Sequence, residues 1–166
     1  MEVAGSGKGA QRLLKIGLKA VGVAEYCERA EHLAASPVLV RLQARKQQWI
    51  LDDCKVVAAE PKKQLWAAGQ QPFLGMVLTG QVDLLAGSGM EFERVDAGDM
   101  IGLDALYDVI ASWGAMARGE VRLAVFPKES FGKVVRANPE LRDYLDSLYD
   151  ARKKAAKEAV DFFGRW

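Results

Sequence analysis

Histidine occurs once in these 166 residues, at His32, and cysteine twice, at Cys27 and Cys54. One histidine excludes most histidine-based metal sites and histidine-dependent catalytic triads. His32 sits among Glu28, Arg29 and Glu31 and reads as a solvated surface side chain. The cysteines fall in no CxxC spacing, so neither zinc binding, thiol exchange nor a disulfide framework is indicated. Both read as buried or idle thiols in a reducing, intracellular compartment. No cofactor is expected. Acidic residues are missing from positions 3–24, which carry Lys8, Arg12, Lys15 and Lys19. Such a start fits a mitochondrial targeting segment, although it is short of serine and arginine, or an amphipathic helix packed on a neighbour. Long apolar runs are missing too. The longest uncharged stretch, Gln64 to Val82, holds Pro72, three glycines and four glutamines. It reads as paired strands with a turn, so no transmembrane segment is expected. No secretory signal is visible.

What is present is ordinary for a globular chain: 50% hydrophobic residues, 27% charged residues and a net charge of +1. The length is enough for one real core, and the balanced charge does not favour a polyanion partner. Residues 1–9 read as a tail. Gly5-Ser6-Gly7-Lys8-Gly9 has the look of a phosphate loop, but Glu2 stands where the first glycine belongs and no Ser or Thr follows Lys8. From Ala10 to about Ala35 the spacing predicts a helix, with Leu13, Ile16, Ala20, Ala24 and Cys27 in one stripe widened by Leu14, Leu18 and Val21. Gly17 and Gly22 weaken it by about 1 kcal/mol each, so it needs a partner surface.

Ser36-Pro37 supplies an N-cap and a first-turn proline for a second helix to about Asp52, with Val38, Leu39, Leu42, Trp49 and Ile50 available for burial. Arg41, Arg45 and Lys46 read as its solvated face. Short strands are expected near Lys55–Ala59, Gln64–Ala67, Gly75–Leu78, Gln81–Ala86, Phe92–Val95, Ala115–Ala117 and Val121–Phe126, with glycine or proline at nearly every junction. That pattern predicts an antiparallel barrel or jelly roll. A short helix starts over Lys128–Phe131, and Pro139 opens a long one to about Phe163. Leu141, Leu145, Leu148, Arg152, Ala155 and Ala159 lie along its inner face. The chain thus divides into an N-terminal tail and helical extension (1–36), a barrel with its leading helix (37–138), and a C-terminal helix with an aromatic tail (139–166).

Several pieces in this order resemble the cyclic-nucleotide-binding domains of the catabolite activator protein and the protein kinase A regulatory subunits. Lys55-Val56-Val57 through Pro61, Leu65 and Gly69 is similar to the opening strands and their turn, with Lys62 where a glycine often sits. Met76 to Val82 resembles the hairpin written isoleucine-x-x-glycine-x-valine, and Gly98-Asp99 with Gly102 the glycine-aspartate turn. Val121 to Phe131 resembles the closing strand and proline-containing cap. The resemblance covers roughly Val38 to Tyr149 and implies a mainly β fold: a jelly-roll barrel with N-terminal helices and a long C-terminal helix.

In that family a phosphate-binding cassette holds the ligand. A glutamate after glycine accepts from the ribose hydroxyl, and an arginine pairs with the cyclic phosphate. Matched residue by residue, Gly102 keeps the glycine and Ala105 an alanine, but Leu103 stands at the glutamate position and Ala111 at the arginine position, with Trp113 near the following alanine. Leucine accepts no hydrogen bond and alanine neutralises no phosphate. Burying that anion unpaired costs several kcal/mol. Asp104 points roughly 100° away from its neighbour on a helix, and Arg118 would need a long slip in register. Nucleotide binding is therefore not expected, and Trp113 is large enough to fill the emptied pocket.

Asp52-Asp53, Asp96-Asp99 and Asp104-Asp108 fall at element ends, where aspartate caps backbone donors. Family members often carry a DNA-binding helix-turn-helix after the long helix; the residues up to Trp166 leave no room for one, so DNA is not an expected partner. Val160 to Trp166 gathers three aromatics and an arginine, residue types enriched at interfaces, and it either folds back on the barrel or docks on a partner. The expectation is a non-catalytic structural subunit of a larger protein assembly, with Leu14, Leu18, Val21, Phe162, Phe163 and Trp166 as docking anchors. The alternative is a regulatory sensor that still binds a cyclic nucleotide or another small ligand. An enzyme of the cupin type finds no histidine in the barrel for its metal.

Overall fold

Glycine and proline divide the middle of the chain into short strands, and the apolar residues between them close two antiparallel sheets over one core. The computed structural model describes residues 18–20 and 36–164. Nine strands are described: β1 (Lys19–Ala20), β2 (Lys55–Ala59), β3 (Gln64–Trp66), β4 (Leu74–Thr79), β5 (Val82–Leu85), β6 (Glu91–Val95), β7 (Met100–Ile101), β8 (Gly114–Ala117) and β9 (Val121–Phe126). One sheet has the order β1-β2-β9-β4-β7 and the other β3-β8-β5-β6. Four α-helices accompany them: α1 (Ala44–Asp52), α2 (Leu103–Leu106), α3 (Lys128–Ala137) and α4 (Pro139–Gly164). This is the mainly β jelly roll with flanking helices that the residue pattern predicts.

β4 lies between β9 and β7, and Leu74 to Leu78 are all buried. A continuous apolar run is what such a central strand requires, because both of its faces pack. β5 instead alternates, with Val82 and Leu84 buried and Asp83 and Leu85 partly exposed. Between β4 and β5 the chain turns at Gly80 with φ +82°, and a Cβ there would lie 2.5 Å from the Glu120 carbonyl oxygen. Only glycine fits such an approach. Lys62 takes the same left-handed region at φ +65°.

Three expectations about the leading segment need correction. Lys19 and Ala20 do not belong to a helix; they pair antiparallel with Ala58 and Val57 at the edge of β2. Gly17 and Gly22 lower helix propensity on either side, and pairing with an open sheet edge outweighs the residual helical preference. The helix expected from Pro37 to Asp52 is broken. A 3-10 turn over Leu39–Arg41 ends at an extended Leu42, and α1 starts afresh at Ala44. Trp49, expected to be buried, is half exposed. Helical periodicity cannot carry a face across a break, because the new helix starts at its own angle. By contrast Ser36 does cap, accepting from the amides of Val38 at 3.2 Å and Leu39 at 3.4 Å.

Ser36 also fastens this leading segment to the barrel, donating to the Gly98 carbonyl at 2.5 Å. The helix starting at Lys128 runs on to Ala137, longer than expected. α4 lies against the barrel with Leu141, Leu145, Tyr149 and Arg152 buried. Its inner stripe passes through Tyr149, with Leu148 only partly covered. Among the described residues no helix is long and apolar enough to cross a membrane.

Candidate functional site

The site is built on the turn that joins β7 to α2. Gly102 holds φ +76°, and a Cβ there would stand 1.8 Å from the Phe73 carbonyl oxygen, far inside any carbon–oxygen contact distance. Glycine at this position is therefore compulsory, whatever the site binds. The chain then enters α2, a single turn whose first three residues, Leu103, Asp104 and Ala105, are all buried.

Leu103 joins the hydrophobic core. Asp104 is 2% exposed, yet its carboxylate is well supplied with donors. It accepts from the Ser112 amide at 2.9 Å, the Ser112 hydroxyl at 3.1 Å and the Tyr149 hydroxyl. One aspartate thus closes the loop 105–112 on itself and ties it to α4. Asp104, expected to cap an element end, lies instead in the first turn of α2, where no side chain caps the helix. Its backbone donor is the Ser112 amide eight residues on, while its bond to Tyr149, 45 residues away, leaves no mark in local sequence.

Ala111 is buried, and its backbone exchanges hydrogen bonds with the segment after β3: its amide donates to Gln70 O and its carbonyl accepts from Gly69 N, each at 2.8 Å. Trp113 is 3% exposed. Its ring meets Phe92 edge-on at 5.6 Å between centroids and Tyr149 at 6.0 Å. Its carbonyl accepts from the Trp66 indole N–H at 3.1 Å. Tyr149 in turn stacks on Tyr107 at 4.6 Å. The end of the cassette is thereby packed by a chain of the protein's own aromatic rings, Phe92, Trp113, Tyr149 and Tyr107, at separations favourable for ring pairs.

Arg118 does not turn inward. Its guanidinium lies on the outer side of the second sheet, 3.3 Å from Asp83 and 3.5 Å from Glu91. α4 carries a buried cation of its own, engaged on β6 and β7. Arg152, 1% exposed, donates through Nε to Glu93 at 2.8 Å and through Nη1 to the Met100 carbonyl at 2.6 Å. The helical stripe Leu141, Leu145, Leu148, Arg152 marked this residue as inward-facing; its partners could not be read from spacing.

The turn Gly98-Asp99 is a second junction. Asp99 caps the Met100 amide at 2.9 Å and accepts from the Tyr144 hydroxyl at 3.2 Å. The Arg41 guanidinium, expected to be solvated, lies 4.1 Å from the Tyr144 ring centroid, a cation–π contact. Burial and the Asp99 carboxylate push the Tyr144 hydroxyl up to about 12, and burial with the Asp104 bond does the same for Tyr149. Tyr107 is raised further still, by burial and by donation to Asp146.

Of the expected docking anchors, Leu18 is a correction. It is 2% exposed and belongs to the core, because the strand beginning at Lys19 holds it against the sheet. Leu14, Val21 and Trp166 lie outside the described residues, as do His32 and Cys27. Phe162 and Phe163 fall on the last turn of α4. Among the described residues no group of three or more histidines, cysteines or carboxylates could hold a metal.

This arrangement of two sheets, a one-turn helix after Gly102 and a long covering helix matches known structures closely. The chain has the fold of a cyclic-nucleotide-binding domain. A cyclic-nucleotide-binding domain from Methylobacillus flagellatus KT is 21% identical, with a TM-score of 0.63 over 86% of this chain and 87% of that one. A protein kinase A regulatory-subunit domain bound to Sp-2Cl-cAMPS gives a TM-score of 0.67 at 14% identity, over 81% of this chain and 93% of that one. The regulatory subunit of a cAMP-independent protein kinase A from Trypanosoma brucei gives 0.63 at 20% identity, over 75% of this chain. The match spans 47% of that subunit, about half its length. A form of the trypanosome subunit carrying three substitutions is described as bound to cAMP in its A site. No family model and no curated protein matches the chain.

Proposed function

We propose that this chain is a non-catalytic structural subunit of a larger, intracellular protein assembly, built on a cyclic-nucleotide-binding fold whose site is closed by its own side chains. One observation carries the reading. Leu103 and Ala111, where the ligand would need a carboxylate and a guanidinium, are apolar residues within the core, and the neighbouring Trp113 ring is packed between Phe92 and Tyr149. A phosphate placed there would lose its hydration without gaining a cation, a cost of several kcal/mol. Loss of dependence on cAMP has a counterpart in this fold, since the trypanosome subunit is described as part of a cAMP-independent kinase.

With the site given up, the remaining assets are shape and surface. The sequence around the end of α4 holds Phe162, Phe163 and Trp166, aromatic residues of the kind that anchor protein interfaces. Titration of the full chain with cyclic AMP and cyclic GMP by calorimetry tests the first half of the reading. No binding heat is expected; micromolar binding of either nucleotide overturns it. Removing residues 160–166 tests the second half: loss of co-purification with the native assembly is expected, and unchanged co-purification contradicts it.

A regulatory sensor is the second reading, and one feature favours it. An open cavity of about 300 Å³ lies between the end of the cassette and α4, lined by Ser112, Trp113, Lys153, Ala156, Lys157 and Val160 together with Gly87. Its volume is at the lower limit for a small-molecule site.

A further inference from the structure

α4 reaches the barrel through polar contacts as well as through its apolar stripe. Tyr144 donates to Asp99, Tyr149 to Asp104, and Arg152 to Glu93 and the Met100 carbonyl. The third of these is chemically unusual. Arg152 is almost fully buried, its Nη2 has no hydrogen-bond partner among the described residues, and Glu93 is itself only partly exposed. A guanidinium taken out of water with one nitrogen unsatisfied is costly, and an apolar residue of similar volume would fill the space without that cost. Leu141 and Leu145, on the same stripe, already supply fully buried apolar contact.

Leucines on a smooth face tolerate sliding and rotation. A planar guanidinium engaged with one carboxylate and one carbonyl does not, because both acceptors sit at fixed positions on β6 and β7. We infer that Arg152 is the register pin that holds α4 closed over the cassette without any ligand, and that the Asp104 bridge makes the cassette and α4 open together as one unit. The bridge matters because Asp104 binds Ser112 and Tyr149 at once. Withdrawing the helix strips a donor from a buried carboxylate, so loop 105–112 loosens when α4 lifts. The inference deepens the proposed function, since a cover held by its own residues needs no nucleotide.

Hydrogen–deuterium exchange on the full chain tests it with Arg152→Met, Glu93→Gln and the double variant Arg152→Met/Glu93→Met. In Arg152→Met, which leaves Glu93 without its cation, amides of 141–160 and of 103–113 should exchange faster together, by ~100-fold, while β4 and β9 keep their protection. Glu93→Gln should act in the same direction, and the double variant, with both charges removed, should regain most of the protection. Unchanged protection of α4 in both single variants overturns the pin. Loosening of α4 with 103–113 still protected overturns the coupling. If Arg152→Met does not fold, Glu93→Gln against the double variant decides the same question. Adding cyclic AMP to the wild-type chain separates the two claims: new protection of 103–113 would contradict the loss of nucleotide binding while leaving the response to Arg152→Met to judge the pin.

Discussion

The Trp66 indole N–H donates to the Trp113 carbonyl at 3.1 Å, across 47 residues of chain. This bond fixes the backbone from which the Trp113 ring enters the aromatic chain beside the cassette. The ring cannot swing aside for a ligand without disturbing Phe92 and Tyr149 as well. Trp113→Ala should therefore lower unfolding free energy by ~3–5 kcal/mol, the usual range for deleting a buried tryptophan. Denaturant titration checks the value. Emptying the space should not create cyclic-nucleotide binding, because Leu103 and Ala111 still supply neither acceptor nor cation.

Gly102 and Gly87 make a matched pair of substitutions. A Cβ at Gly102 collides with the Phe73 carbonyl and demands a left-handed backbone, whereas at Gly87 nothing lies within 4 Å. Gly102→Ala should cost more than ~3 kcal/mol. Gly87→Ala should stay within ~0.5 kcal/mol. Comparable losses for the two in thermal denaturation would contradict the close-approach argument.

Ser36 serves two elements with one hydroxyl, capping the turn after Pro37 and donating to Gly98. Ser36→Ala should cost about 1–2 kcal/mol, the combined scale of a lost cap and a buried carbonyl left unpaired. Ser36→Thr should recover part of it. Equal stability of Ser36→Ala and wild type would show that the leading segment is held by apolar contacts alone.

Alkaline pH should loosen α4. The Tyr144 and Tyr149 hydroxyls are raised to about 12 in the folded chain, above the ordinary tyrosine value of about 10. The native state therefore holds these protons more tightly than the unfolded chain. Their contribution is complete below about pH 10 and is lost as pH rises through about 12. Denaturation midpoints across that window should fall less steeply in Tyr144→Phe/Tyr149→Phe than in wild type. An identical slope would contradict the assignment.

Much of the barrel was legible because its signals are local. Pro61, Gly69, Gly80 and Gly98 mark junctions, and strands such as β2 and β9 carry β-branched residues between them. The covering helix announced itself by Pro139 and its stripe. What escaped was decided by tertiary contact. Lys19–Ala20 satisfies a sheet edge, a demand made by Val57 and Ala58 and invisible in the segment's own helical spacing. Trp49 lost its place in the core to a backbone break at Leu42. At the site, the apolar character of Leu103 and Ala111 was legible, and both are buried. Asp104–Tyr149, Asp99–Tyr144 and Arg152–Glu93 were not, because each joins residues more than 40 positions apart.

The central claim is that this cyclic-nucleotide-binding fold no longer recognises its nucleotide. Ligand linkage tests it on the equilibrium itself: unfolding free energy of the full chain, measured with and without ~1 mM cyclic AMP. A ligand at ~100 times its dissociation constant stabilises the folded state by about 2.7 kcal/mol. The proposed loss of binding predicts no shift beyond the uncertainty of the titration. A stabilisation of that size, rising with the logarithm of nucleotide concentration, would contradict it.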